Sequence, residues 1–303
     1  MKHTLVIVLA SVIILTAFSA CIEGSAETYE NDKLSVIAVN FPSYDLTRII
    51  AGDSINLSML LPPGADSHSY EPSPRDIIAI GSCDIFIYTG GESDAWLGKI
   101  LSAADASSTI PLSMMEITRN KPNRSHSHDG DEHVWTSPRN AVLIAKTIAD
   151  TLCMLDPSNA KMYRNSLTSL LSDLDNLDRR FVNIIQNAKR NTIVFGDRFP
   201  LRHFTDAYGL DYLAAFPGCA PETEPSAAAV ASLIEKVRAD KIPIVFYTEG
   251  SDGRTANTIG AETGARAALF HTCHNVSKDE MESGATYLSL MHNNAKILEE
   301  ALN

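Results

Sequence analysis

From Ser158 to Lys189 the chain carries one apolar stripe with no Gly or Pro to interrupt it. Leu167, Leu170, Leu171, Leu174, Leu177, Phe181, Ile184, Ile185 and Ala188 recur at three- and four-residue steps. That spacing puts them on one face of a single helix. At about 1.5 Å per residue the helix measures roughly 45 Å. A helix of this length is either the buried spine of one domain or a strut between two. The segments on either side decide in favour of the strut.

Before the stripe, strand-like apolar runs fall at Leu34–Val39, Ile55–Leu61, Asp84–Thr89 and Thr109–Leu112, with helical patterns at Ser73–Ile80 and Asp94–Ala103. After it, strand-like runs fall at Thr192–Phe195, Leu210–Phe216, Ile242–Thr248 and Ala267–Phe270, again separated by helical patterns. Strands alternating with helices imply crossover connections and parallel sheets. The expected fold class is therefore α/β, with two lobes, each a mainly parallel sheet flanked by helices, joined by one long rigid helix. The expected boundaries are an N-terminal lobe at 34–157, the linking helix at 158–189 and a C-terminal lobe at 190–303.

The first residues belong to neither lobe. Lys2 is followed by an apolar run from Leu5 to Phe18 and then by Ser19-Ala20-Cys21. A short apolar run closed by small residues reads as an export signal over 1–20, and it is too short to span a bilayer comfortably. A cysteine at the processing point makes Cys21 the expected site of lipid attachment, with residues 21–33 as a polar tether. The expected location is the outer face of the cell membrane, or the periplasm. The net charge of -12 argues against nucleic acid as a partner. Four cysteines remain, Cys83, Cys153, Cys219 and Cys273. Cys83 and Cys153 sit among apolar residues and read as small buried hydrophobes. Cys219 and Cys273 follow strand-like runs in turn-rich segments and are the better candidates for a disulfide in an oxidising compartment.

In an exported chain, histidines gathered at strand ends suggest a borderline cation such as zinc before they suggest acid-base catalysis. In open α/β sheets the binding crevice lies beyond the carboxyl ends of the strands. His68 follows the second strand by a loop; taken alone it is an ordinary loop histidine. His133 closes an acidic polar segment, Lys121–Glu132, and precedes a helix starting at Pro138 with Ser137 as cap. That segment contains His126, His128, Asp129 and Asp131 and has a composition that cannot build a core, so it reads as a mobile surface loop. His271 ends the last strand, and His274 lies three residues later.

Four motifs then fall in order. Pro62-Pro63-Gly64-Ala65-Asp66-Ser67-His68-Ser69-Tyr70-Glu71-Pro72-Ser73-Pro74 closely resembles a signature of the zinc/manganese solute-binding lipoproteins of ABC importers. Asp131-Glu132-His133-Val134-Trp135-Thr136-Ser137-Pro138 resembles a second, and Gly218-Cys219-Ala220-Pro221-Glu222-Thr223-Glu224-Pro225-Ser226 a third. Thr286-Tyr287-Leu288-Ser289-Leu290-Met291 fits as well. The resemblance runs from about Ser35 to the end.

The resemblance implies a monomeric receptor with one ion held between the lobes for a membrane permease of an ABC importer. It makes His68 and His133 the N-lobe ligands. Of the two C-lobe ligands, one follows the last strand, the position taken here by His271. The other, His or Glu in the family, follows the first C-lobe strand, where this chain has Gly196-Asp197-Arg198. Asp197, Glu249 and His274 are the candidates to complete the set, and an Arg198–Asp197 pair would leave three protein ligands. Three neutral imidazoles favour zinc over manganese, which suits oxygen-rich sites, and the resemblance makes the loop with His126, His128, Asp129 and Asp131 an accessory metal loop of the kind that marks zinc-specific members. An extracellular zinc hydrolase is the rival from another class, but neither a His-Glu-x-x-His pattern nor a Gly-x-Ser-x-Gly elbow occurs. A lipid-anchored adhesin whose metal only stabilises the fold is the other. The chain is read as a binding protein, not an enzyme.

Overall fold

A computed structural model describes residues 33–66, 69–97, 109–119, 130–216 and 225–303. The signal and tether expected at 1–33, apart from Lys33, lie outside the described residues, as do Cys21, His68, His126, His128, Asp129 and Cys219. The N-terminal half contains β1 (Ser35–Ala38), α1 (Phe41–Ala51), β2 (Asn56–Met59), α2 (Pro74–Ser82), β3 (Ile85–Tyr88), β4 (Ile110–Ser113), α3 (Met114–Arg119) and α4 (Pro138–Leu155). The long helix is α5 (Ala160–Gln186). The C-terminal half contains β5 (Thr192–Phe195), α6 (Arg202–Tyr208), β6 (Asp211–Ala214), α7 (Ala227–Ala239), β7 (Ile244–Tyr247), α8 (Arg254–Thr263), β8 (Arg266–Leu269), α9 (Lys278–Glu282) and α10 (Tyr287–Leu302).

The strands form two four-stranded sheets, ordered β2-β1-β3-β4 and β6-β5-β7-β8, and every pairing is parallel. The two lobes thus repeat one topology. In each, the chain direction across the sheet reverses beside the first strand, between β1 and β3 and between β5 and β7. Such a switch point opens a crevice at the carboxyl ends of the strands.

Both faces of each sheet are covered, which is why the strands read as nearly continuous apolar runs. The pleat divides each run between two cores. In β1 and β3, Val36, Ile85 and Ile87 join the large core, while Ile37 and Phe86 face a smaller cluster with Ile80 and Cys83. In β5 and β7, Ile193, Phe195, Ile244 and Phe246 join the large core, while Val194 and Val245 face a second cluster with Leu233 and Ile259. The large core is shared by the two sheets and by α5, which contributes Leu170, Leu174, Leu177, Phe181 and Ile184.

Helix α5 is 27 residues long, or about 40 Å. It begins at Ala160, two residues past the start expected from sequence. Asp156 takes up the intervening turn: its carboxylate accepts from the Asn159 amide and side chain and from the Tyr163 hydroxyl. The helix packs against α1 and α4 of one half and α6 and α10 of the other. A helix that lends one stripe to both sheets is a strut and a shared core element together.

Side chains that satisfy the first orphan N–H groups set several helix starts. Asn40 with Ser43, Ser73 with Asp76, Ser277 with Glu280 and Thr286 with Ser289 form capping boxes. Ser137 precedes α4 as expected, but its side chain makes no capping bond; Pro138 in the first turn supplies the pre-set φ instead. Among the described residues, no helix is long and apolar enough to cross a membrane.

Candidate metal centre

The carboxyl ends of both sheets open into one cleft of about 1060 Å³. Its walls include Asp66, His133, Asp197, Glu249, His274 and Glu280, so both lobes contribute. The approach of the lobes is fixed by hydrogen bonds that cross between them. The Phe41 amide donates to the His274 carbonyl at 3.4 Å and the Gly64 amide to the Val276 carbonyl at 2.8 Å. Asn275 Nδ2 donates to the carbonyls of Pro62 and Ala65 at 2.8 and 2.9 Å. The loop leading to His68 is therefore stitched to the segment that carries His274. The buried Asp45 carboxylate accepts from the Tyr287 amide at 2.7 Å, at the positive end of α10. The Tyr287 hydroxyl in turn donates to the Trp135 carbonyl at 2.7 Å.

His133 sits just before a single 3-10 turn, Val134–Thr136. The turn is held by the Thr136 hydroxyl donating to the His133 carbonyl and by Asn140 Nδ2 donating to the Val134 carbonyl. The His133 side chain is 4% exposed. Its Nδ1 lies 2.9 Å from Asp131 Oδ1, and the same oxygen accepts the His133 amide at 3.0 Å. Burial alone would raise the Asp131 carboxyl, but the hydrogen bonds and charge of His133 outweigh it and hold the group at about 2. A carboxylate on one ring nitrogen fixes the tautomer and makes the other nitrogen the better ligand. Asp131 is also anchored from the second lobe, because its carbonyl lies 2.9 Å from His203 Nε2.

Across the cleft, the His274 ring lies 5.2 Å from that of His133, centroid to centroid, at 83°. Trp135 packs under both, 5.4 Å from His133 and 4.9 Å from His274. Its indole Nε1 donates to the Thr272 carbonyl at 2.9 Å. The apolar floor and the two edge-on rings make a small, rigid platform for a cation.

Asp197 follows β5. An added Cβ on the preceding Gly196 would lie 2.6 Å from the backbone of Ala256, so only glycine lets β5 end this close to α8. Asp197 is 8% exposed. Its Oδ1 accepts the Arg198 amide at 2.8 Å, and its Oδ2 accepts the amide and hydroxyl of Thr248, both at 3.0 Å. These bonds orient it, and carboxylate oxygens hold further lone pairs that can bind an ion.

His271 takes a different place from His274. Its ring is 3% exposed and is not part of the cleft wall. Nε2 makes no hydrogen bond, with Glu280 Oε1 at 3.5 Å, and Nδ1 lies 3.7 Å from Glu249 Oε1. Desolvation works against a charged ring, while the nearby Glu249 and Glu280 carboxylates favour one. The Cys273 amide opposes that second proton: it donates to Nδ1 at 2.9 Å, which requires a lone pair there. The geometry thus describes a ring with its one proton on Nε2, toward Glu280. Glu280 was not a sequence candidate. One of its oxygens accepts the amide and hydroxyl of Ser277 to cap α9 while the other faces His271, which with burial opposed holds its carboxyl at about 2.

Among the described residues, no three His, Cys, Asp or Glu side chains are drawn together tightly enough to hold a metal ion. The structure instead brings together His133 and His274, with Asp197 and Glu249 on the same cleft wall. Cys83 is buried as expected and Cys153 is half-buried. Cys273 is buried, and its expected partner Cys219 lies outside the described residues.

The family of zinc-uptake complex component A, periplasmic (ZnuA), matches residues 36–301. The chain belongs to this family. It is 26% identical over 288 residues to the zinc-binding lipoprotein AdcA of Streptococcus pneumoniae, covering 91% of this chain and 57% of that protein. The chain thus spans little more than half the length of AdcA. It is 26% identical over 292 residues to the high-affinity zinc uptake system protein ZnuA of Bacillus subtilis, covering 92% and 91%. The crystal structure of the Zn(II)-bound ZnuA-like domain of AdcA superposes with a TM-score of 0.76 at 26% identity, covering 89% of this chain and 99% of that one. The two-lobed architecture read from sequence is the ZnuA fold.

Proposed function

We propose that this ZnuA-family chain captures one zinc ion in the interlobe cleft and presents it to the membrane permease of an ABC importer. The observation that carries the proposal is the His133–His274 pair, two imidazole rings at 5.2 Å from opposite lobes, one of them oriented by Asp131. His68 is the third ligand, at the end of the loop tethered to Asn275 and Val276. Asp197 is the fourth. Three imidazoles and one carboxylate form a tetrahedral set that zinc accepts readily. The names of the matched relatives, a zinc-binding lipoprotein and a zinc uptake protein, support the same cargo.

The chain acts as a monomer, exported and held to the outer face of the membrane through lipid on Cys21. Binding and release, without turnover, is its activity. Protein from Glu23 onward is expected to bind one zinc ion per chain in competition with a chelator, and to keep zinc when manganese is added in excess. Absence of tight zinc binding, or displacement by equimolar manganese, would refute the proposal. Loss of the acyl modification in a Cys21→Ala chain, measured by mass spectrometry, tests the anchor separately.

A further inference from the structure

The segment after β8 turns sharply, and Cys273 within it has φ +61°, a left-handed conformation that residues with a side chain seldom adopt. Such a conformation is strained and persists only where the surroundings compel it. Here the surroundings do so through three consecutive amides. The Thr272 amide donates to Glu249 Oε2 at 2.7 Å and the His274 amide to Glu249 Oε1 at 3.1 Å. The Cys273 amide between them donates to His271 Nδ1 at 2.9 Å. The Thr272 hydroxyl adds a further bond to Glu249 Oε1. Below the turn, Asn294 grips the backbone of His271, accepting its amide at 2.8 Å and donating to its carbonyl at 2.7 Å.

A concave run of N–H groups around a carboxylate is a stable anion nest. Both Glu249 oxygens are engaged by it, and the donors belong to the turn that carries His274, which ties the carboxylate to the placement of that ring. We infer that Glu249, with His271 beside it, is a positioning residue that sets the turn placing the His274 ring against His133, and acts on the bound ion through that ring. The inference rests on the proposed role of His274. A carboxylate that accepts backbone N–H groups on both oxygens has no isostere in an amide: glutamine presents one acceptor oxygen and turns an NH₂ toward the other amide. Residues that orient a ligand typically change metal affinity by about 10–100-fold when replaced.

The test is a double-mutant cycle in zinc affinity, by chelator competition, with the unfolding midpoint of each metal-free protein measured alongside. Glu249→Gln alone is expected to weaken zinc binding about 10- to 100-fold. In a His274→Ala background the same substitution is expected to weaken it no further, because it acts only through that ring. Equal losses in both backgrounds would mark Glu249 as a ligand in its own right and overturn the inference. An affinity near wild type with a lowered midpoint would overturn it too, leaving Glu249 a support of the fold alone. If Glu249→Gln does not fold, Thr272→Val removes only the hydroxyl donor and enters the same cycle, with a smaller loss that again vanishes in His274→Ala; an additive loss overturns the inference. A His274→Ala protein that binds zinc like the wild type would show that the ligand assignment had failed first.

Discussion

The rings of His133 and His274 meet edge to face across the cleft, 5.2 Å apart, although one comes from the N-terminal lobe and the other from the last loop of the C-terminal lobe. Trp135 beneath them belongs to the first lobe and hydrogen-bonds the second. The proposed centre is thus built on contacts that already hold the lobes together.

Replacing either ring is the sharpest test of the ligand set. A structural zinc ion contributes roughly 10–16 kcal/mol through about four ligands, or about 3 kcal/mol each. His133→Ala and His274→Ala should therefore each weaken zinc binding by about 100- to 1000-fold in chelator competition. His271→Ala should weaken it less and lower the unfolding midpoint more, since it empties a buried site. The reverse order would return His271 to the ligand set.

Trp135→Phe keeps the platform but loses the indole N–H. The Thr272 carbonyl is then left without its donor at 2.9 Å. A buried acceptor stripped of its partner costs about 1–3 kcal/mol. The expected result is a stability loss of that size in urea unfolding, with no change in the slope against denaturant.

Zinc affinity should fall with pH through the range where imidazole protonates, because a charged ring cannot ligate. Asp131 takes no part in that loss, since it stays ionised to about 2. Asp131→Asn should weaken binding about 10- to 100-fold at neutral pH, as expected for a residue that orients a ligating histidine. An unchanged affinity would mean that the Asp131–His133 pair is not used to orient the ligand.

The Asp94 carboxyl behaves oppositely. Desolvation, aided by nearby Glu132, pushes it up to about 6 despite amide donors from Thr89 and Gly90. Its folded value lies above its unfolded one, so the folded state holds the extra proton between pH 4 and 6. Stability from this group is therefore full below about pH 4 and lost as pH rises through 6. Asp94→Asn keeps an acceptor and cannot ionise. Relative to wild type it should gain about 2–3 kcal/mol between pH 4 and 7, seen as a flatter curve of unfolding free energy against pH. A parallel curve would refute this.

Apolar periodicity located the eight strands among the described residues to within two residues at each edge, and the long helix to within three. Burial explains that success, because each strand faces two cores and each face needs apolar side chains. The cleft was less legible. The His-bearing motifs pointed to His133, which lines the cleft, but position after a strand could not say which of His271 and His274 lies on its wall. That difference goes with the left-handed turn at Cys273, after which His274 lines the cleft while His271 before it does not. No local pattern marks a cysteine for positive φ. Glu280 escaped notice because its capping role, visible as Ser277-x-x-Glu280, conceals a second contact made only through the fold.

The apolar stripe of α5 has a consequence for cooperativity. Leu170, Leu174 and Phe181 belong to the same continuous core as Val36 of one sheet and Phe270 beyond the other. Neither lobe can lose its packing without exposing the partner's side of that shared layer. Two halves that look separable in the sequence should melt in one calorimetric transition, with van't Hoff and measured enthalpies in agreement.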